Sequence, residues 1–397
     1  MKEKDIIVVG LQPWDIAIGS NCKNIAVEFA KDNRVLYVNR ALDRITYLRP
    51  RKDALAITRV NSLKRRQSDI NQIQPNLWTL DPRVILESIN WIRSPRLFDW
   101  LNYVNNKRLA HSIKDAAERL GFRNPVIFID NDFIRYQYLS EMLKENAGVI
   151  YYIRDYLLAH PYFKRHGERL EPRIMRNASL VVANSSYLAD YARRYNKRAA
   201  DIGQGCDLDT FLVPQSVTPQ RLASVKGIVI GYTGALVSYR LDQELLYALA
   251  VRNPEWTIAL VGPEDEAFQT GKLHALPNVL FTGSRPAAEL PAYIHRFDVC
   301  INPQLLTEIT VGNYPRKIDE YLAMGKAVVA TNTPAMKMFS EFVYLAGDAA
   351  SFEDSIKRAI AEDNQELVER RRAFALQHTW PNSVNALYNA YEEISGK

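Results

Sequence analysis

TVGNYPRKIDEYLAMGKAVVAT, residues 310–331, reads as a loop, a short helix and a buried strand. Pro315 can open the helix, because the N–H it lacks would go unused in the first turn. Lys317 and Glu320 then stand three residues apart on one helix face. Gly325 closes the helix, and AVVAT follows as an apolar strand. A helix start preceded by the loop Thr310–Tyr314 presents backbone N–H groups to a phosphate. Lys317 adds a full charge there, and Glu320 can accept hydrogen bonds from a ribose diol. The same spacing also describes an ordinary surface Lys–Glu pair, so spacing alone leaves both readings open.

The same unit recurs on either side. GIVIGYTG (227–234), WTIALVG (256–262), NVLFTG (278–283) and VCINPQ (299–304) precede it; DIIVVG (5–10), RVLYVNR (34–40), PVIFID (125–130), GVIYYI (148–153) and SLVVANS (179–185) form an earlier series. Short apolar runs separated by amphipathic, helix-length segments predict parallel sheets covered on both faces. At 397 residues the chain exceeds one ordinary core. The rhythm pauses over 203–226, which predicts an acceptor-side domain over 1–206, a linker over 207–226 and a second domain over 227–375. The tail, 376–397, predicts one amphipathic helix capped by Asn382 or Ser383, with Val384, Leu387, Tyr388 and Tyr391 on its apolar face.

Bulk properties narrow the function. Cys22, Cys206 and Cys300 lie far apart, which argues against a disulfide framework or a zinc site and for a reducing compartment. The first apolar run is too short for a signal-peptide core, and no run reaches the length of a spanning helix. The expected location is the cytoplasm. Net charge is +6 but lopsided: residues 1–200 hold 34 Lys/Arg against 21 Asp/Glu, and the remainder holds 17 against 24. Such asymmetry predicts different partners for the two halves, although an ordinary solvated surface also produces it. No GxGxxG, P-loop, HExxH, paired CxxC or GxSxG occurs, so dinucleotide, ATP, zinc-protease and hydrolase chemistries lack their local signatures. No nucleic-acid-binding motif accompanies the basic half.

Pro315, Lys317, Glu320, Tyr321, Leu322, Ala323, Gly325, Lys326, Val328, Val329, Ala330 and Thr331 resemble, in unbroken order, the hallmark segment of family 4 ("group 1") glycosyltransferases. GYTGALVSYRLDQELL (231–246), VGPEDEAF (261–268), NVLFTGSRPAAELPAYIHRFDVCINP (278–303) and the Gly205-Cys206-Asp207 turn ending in Phe211 resemble further family stretches in order and spacing. The resemblance is strong from about 148 onward and one of pattern only over 1–147. It implies the GT-B fold: an α/β protein of two doubly wound, Rossmann-like domains facing a cleft, with the C-terminal helix crossing back to the first domain. It implies a nucleoside-diphosphate sugar as donor, transferred with retention to a cell-surface polysaccharide or lipid-linked glycan. No cofactor and no obligatory metal are expected. In the family the glutamate matching Glu320 binds the nucleotide ribose. The implied donor set is Gly234, Arg240, Ser284, Arg285, Thr310, Gly312, Asn313, Lys317 and Glu320, with Arg240 and Lys317 stabilising the departing diphosphate.

This chain also departs from the family pattern. Many members carry a second glutamate eight positions before the first; that position is Gly312 here, and the nearest acid is Glu308. The family's arginine in its glycine loop is Ala235. In the first half, the loop Gly19-Ser20-Asn21 is a candidate for phosphate or acceptor contact, since glycine lets a ligand approach the backbone. Asp130 follows an apolar strand and is a candidate base. Asn131 and Asp155 are candidate acceptor contacts at such strand ends. The segment 83–123 mixes Trp91, Leu97, Trp100 and Tyr103 with Arg93, Arg96, Lys107 and Arg108. That composition suits a peripheral dock on the inner face of an anionic membrane, and equally a partly buried helix pair. Rival functions are a sugar-nucleotide epimerase of the same fold, turning over without acceptor, and a non-catalytic sugar-nucleotide-binding protein.

Overall fold

A computed structural model describes residues 1–16, 19–49, 54–65, 68–215 and 217–395. The chain divides into two units: Met1–Gly203 with Ser383–Lys397, and Gln204–Asn382.

The first unit is built on β1 (Asp5–Gly10), whose six positions are all buried. Ile6 to Val9 are uniformly β-branched, the composition of a strand covered on both faces. It joins β2 (Arg34–Val38), the short β3 (Leu42–Asp43), β4 (Ile70–Gln74), β5 (Leu77–Leu80), the short β6 (Ile85–Leu86), β7 (Val126–Asp130), β8 (Gly148–Ile153), β9 (Leu180–Ala183) and β10 (Ala199–Asp201). The main sheet runs β10-β9-β8-β7-β1-β2-β5-β4, while β3 and β6 pair separately. Every pairing is parallel except β4 with β5. The hairpin at 70–80 went unread in the sequence because INQIQ carries too little apolar residue to register as a strand.

The second unit holds β11 (Val229–Thr233), β12 (Thr257–Val261), β13 (Val279–Gly283), β14 (Val299–Asn302), β15 (Ala327–Thr331) and β16 (Tyr344–Ala346). All are parallel, in the order β13-β12-β11-β14-β15-β16. One core layer gathers Phe297, Ile318, Tyr321 and Phe339; the other gathers Leu246, Leu249, Phe352 and Ile356. Strand order reverses between β11 and β14, and open α/β sheets bind ligands beyond the carboxyl ends of strands at such a reversal. The doubly wound reading of both halves therefore holds.

Two expectations are corrected. The stretch 207–226 is no free linker: Leu208, Phe211 and Leu222 are buried in the second unit's core beside Cys206, which places the described part of it there (residue 216 lies outside the described residues). Its sequence lacked periodicity because it forms only two four-residue helices. The terminal helix spans Trp380–Ser395, so Asn382 and Ser383 lie within its first turn; Thr379 Oγ1 accepts from the Asn382 N–H instead. Pro381 permits this early start, since the first turn needs no N–H from it. From Ser383 the helix packs on the first unit: Tyr388 stacks on Phe29 and its hydroxyl accepts from Asn33 Nδ2, and the Tyr391 hydroxyl donates to the Ala147 carbonyl. Residues 396–397 lie outside the described residues.

Candidate functional site

The site forms where β11 and β14 diverge. After β11 the chain turns at Gly234 with φ +128°, and β12 is followed by Gly262, where a Cβ would come 1.9 Å from the Gly234 carbonyl oxygen. Only glycine permits that approach. A Cβ at Gly234 would in turn lie 2.9 Å from Lys317 Nζ, so the ammonium group sits directly over the glycine loop. It is held there by donating to the Tyr232 hydroxyl while lying 3.9 Å from the Tyr232 ring centroid.

Lys317 projects from the helix Lys317–Ala323, which Gly325, at φ +76°, brings to an end. Tyr321, one turn on and fully buried, accepts the Thr233 N–H at 2.8 Å. That bond fastens the helix to the end of β11. Glu320, on the same face as Lys317, is half-buried, and its carboxylate has no hydrogen-bond partner among the described residues. Desolvation raises its pKa against the opposing charges of Arg316 and Lys317. A desolvated carboxylate with open lone pairs is suited to accept two hydroxyl donors.

Three further polar groups at these strand ends lack partners among the described residues. The Arg240 backbone carbonyl accepts from Leu305 N–H at 2.8 Å, tying the two loops together, while its guanidinium Nε is buried and unbonded. Asn302, the last residue of β14, is fully buried with both amide atoms unbonded, and Gln304 Oε1 is in the same condition. Buried polar atoms are nearly always hydrogen-bonded, so this concentration points to a ligand-binding edge. Asn302 and Gln304 escaped the sequence reading. The signal was available, because an asparagine ends an otherwise wholly apolar strand.

Asp319 escaped it as well. It is fully buried and accepts from the Tyr314 hydroxyl at 2.7 Å, from Cys206 Sγ at 3.4 Å, and meets His378 Nδ1 at 2.6 Å. The loop before the helix is thereby anchored from beneath. An acid placed three residues before Leu322, on the apolar face, was the sequence cue.

Other expected donor residues fall differently. Thr310 is buried, and its hydroxyl is engaged by Thr307 N–H and the Leu305 carbonyl; it shapes the loop instead of facing a ligand. Gly312 is buried and Asn313 half-buried in the same turn, while Glu308 is exposed. Ser284 is exposed, and Arg285 folds back to donate to the Thr282 carbonyl at 2.8 Å. Both follow β13, two strands from β11, or roughly 10 Å along the sheet. The structure does not bring them to Lys317.

In the first unit the strand-end candidates prove mostly structural. Asp130 is fully buried and bound to Arg154 Nε at 2.9 Å. Desolvation raises its pKa, opposed by Arg154. Buried and ion-paired, it fixes Arg154 and is not presented as a base. Asn131, at φ +54°, accepts from Arg154 N–H at 2.7 Å and Asp155 N–H at 3.2 Å, so its carbonyl shapes the turn. Asp155 is half-exposed and paired with Arg154 Nη1 at 3.1 Å. Arg154 itself, which the sequence did not single out, joins all three. Gly19 is exposed, whereas Ser20 is buried, donates to Gln12 Oε1 and caps the helix Asn21–Phe29. This loop is an ordinary strand-to-helix turn.

Comparison with known proteins agrees with the geometry. Residues 227–362 match the family profile of "Glycosyl transferases group 1". The chain is 29% identical over 241 residues to the "Putative teichuronic acid biosynthesis glycosyltransferase TuaH" of Bacillus subtilis (strain 168), covering 57% of this chain and 59% of that one. It is 24% identical over 228 residues to a phosphatidyl-myo-inositol mannosyltransferase of Propionibacterium freudenreichii subsp. shermanii, covering 54% and 56%. The chain thus spans less than two thirds of the length of these curated relatives. Among solved structures, sucrose-phosphate synthase from Thermosynechococcus elongatus superposes with a TM-score of 0.66 at 16% identity over 99% of this chain and 100% of that one. Anabaena Alr3699/HepE, solved in complex with UDP, gives 0.63 at 18% over 99% and 100%. These likenesses show the fold, GT-B.

Proposed function

We propose that the chain, whose residues 227–362 match the profile of the group 1 glycosyl transferases, is such an enzyme and transfers a sugar, with retention, from a nucleoside-diphosphate sugar to a cell-surface polysaccharide or lipid-linked glycan. The observation that carries this reading is the pairing of Lys317, held over the Gly234 loop, with the half-buried, unbonded Glu320 three residues on. One offers a cation to a diphosphate and the other an acceptor pair to a ribose. The diphosphate leaves with the electron pair of the sugar–oxygen bond, and Lys317 and Arg240 disperse its developing charge. The acceptor hydroxyl forms the new bond on the same face, and its proton passes to the departing phosphate oxygen. Such a step requires no protein carboxylate as base, consistent with the ion-paired state of Asp130 and Asp155.

We read the reaction as independent of a divalent cation, since cationic side chains stand where the diphosphate charge develops. Turnover is expected to require an acceptor and to persist in EDTA. Product assays with and without chelator check both points. Epimerisation of the donor without acceptor would move the assignment to the epimerase, and loss of transfer in EDTA would overturn the metal-free reading.

The first unit is read as a peripheral dock on anionic membrane. No described helix is long and apolar enough to cross a bilayer. Trp91, Leu97 and Trp100 are exposed, Trp91 by 69%, on and before the helix Pro95–Arg119, with Arg93, Arg96 and Lys107 exposed beside them. Arg108 is excluded from this set, because it donates to Glu87 and to the Ile85 carbonyl. Each cation near an anionic surface contributes about 1 kcal/mol. Reversal of Arg93, Arg96 and Lys107 to glutamate is expected to abolish co-sedimentation with phosphatidylglycerol vesicles at low salt. Equal pelleting of variant and wild type would remove the membrane reading.

A further inference from the structure

The helix Lys317–Ala323 carries both donor-site side chains, yet its own seven residues do little to hold it in place. So short a helix is marginal by itself, and its N-cap, Arg316, makes no side-chain capping bond among the described residues. Burial of Ile318 and Leu322 fastens it to the core, but apolar contact is non-directional and leaves its rotation about the axis weakly set. Rotation needs directional ties. Tyr321 supplies one, to Thr233. Asp319 supplies the other, and no part of the transfer step uses it.

Successive helix residues turn by about 100°, so Asp319 leaves the helix roughly opposite Lys317 and about a quarter-turn from Glu320. Its carboxylate is fully buried, with the Tyr314 hydroxyl 2.7 Å and Cys206 Sγ 3.4 Å from Oδ2, and His378 Nδ1 2.6 Å from Oδ1. An ionised carboxylate only accepts, so all three donate, and His378 carries its proton on Nδ1. These donors are themselves fixed. The Tyr314 ring packs edge-on against Phe339, and the His378 ring stands edge-on to Phe339 and Phe374. Cys206 N–H donates to the His378 carbonyl at 3.0 Å, which joins the segments on which two of the donors lie.

A buried carboxylate short of donors is costly, because its desolvation goes uncompensated. The helix therefore settles at the rotation that brings Asp319 to all three donors, and the same rotation directs the side chains on its other faces. We propose that Asp319, held by His378 and Tyr314, is a positioning residue for the donor site: it sets the rotation of the helix, and with it the directions in which Lys317 and Glu320 meet a nucleoside diphosphate. The role rests on the donor reading of Lys317 and Glu320.

Asp319→Ala would strip a buried site and put folding at risk, so the test varies the donors instead. Tyr314→Phe removes one hydroxyl and keeps the ring; His378→Ala removes the Nδ1–H; His378→Asn puts an amide N–H where that group stood. Calorimetry on the full chain measures the affinity for UDP, GDP, ADP and dTDP, with Tm recorded on each preparation. The nucleotide that the wild type binds most tightly is expected to bind about tenfold more weakly to Tyr314→Phe and to His378→Ala. His378→Asn is expected to recover most of the loss. Phe352→Leu is the comparison, because Phe352 lies in the other core layer: it should lower Tm and leave affinity unchanged. Wild-type affinity in both Tyr314→Phe and His378→Ala overturns the positioning role alone, as does His378→Asn binding no better than His378→Ala. An equal loss in Phe352→Leu overturns it too, by reducing the effect to general destabilisation. A wild type that binds no nucleoside diphosphate overturns the donor reading, and this role with it.

Discussion

Lys317→Ala is expected to lower kcat/KM for sugar transfer by roughly 100- to 1,000-fold, the loss seen when one preorganised stabiliser of transition-state charge is removed. The ammonium group is no flexible surface charge. It is pinned between the Tyr232 ring, 3.9 Å from its centroid, and the Gly234 backbone. Charge placed in advance stabilises a departing diphosphate without reorganisation at the moment of bond breaking. The loss should fall mainly on kcat, because the negative charge on the leaving group grows as the bond breaks. Gly234→Ala should act in the same direction, since the added Cβ would meet Lys317 Nζ at 2.9 Å in a backbone conformation that alanine disfavours. Steady-state and single-turnover rates on both variants check this. A loss below tenfold for Lys317→Ala would place the main charge stabilisation elsewhere, with Arg240 the next group to vary.

Glu320→Ala should abolish the thermal protection that a nucleoside diphosphate gives the wild type. At 100 times its dissociation constant a ligand stabilises by about 2.7 kcal/mol, which moves Tm by roughly 5–11 °C in a domain of 150–250 residues. Two hydrogen bonds from a ribose to one desolvated carboxylate are charge-assisted, and their loss leaves the hydroxyls unpaired in the site. Because burial raises the Glu320 pKa, nucleotide affinity should be full above that raised value and fall as pH drops through it, earlier than an ordinary carboxylate would allow. A melting series across UDP, GDP, ADP and dTDP, repeated at several pH values, reads both effects. Protection that survives in Glu320→Ala would detach this residue from the nucleotide. Failure of every nucleoside diphosphate to protect the wild type would end the donor-site reading altogether.

Both experiments act on residues whose importance was legible in the chain itself. Parallel, doubly covered sheets follow from runs such as IIVV and VVAT, because a strand buried on both faces admits no polar alternation. The helix carrying Lys317 and Glu320 was equally readable, since Pro315, Gly325 and a three-residue spacing are local features. Reach across the fold was not. Whether Asp130 is a base or a buried partner of Arg154 depends on a residue 24 positions away, and the fate of Asn131 on the same loop. Arg285 looked available until its guanidinium was found folded onto Thr282. Asp319 reads as one more helix acid, yet Tyr314, Cys206 and His378 converge on it from three separate segments. The apolar strand places Asn302 at a buried strand end, but no local pattern discloses that both its amide atoms go unbonded. Periodicity and turn chemistry are properties of neighbouring residues, so they determine strands, helices and the glycine loop. Burial, ion pairing and pKa are set by groups distant in sequence, and only tertiary packing decides them.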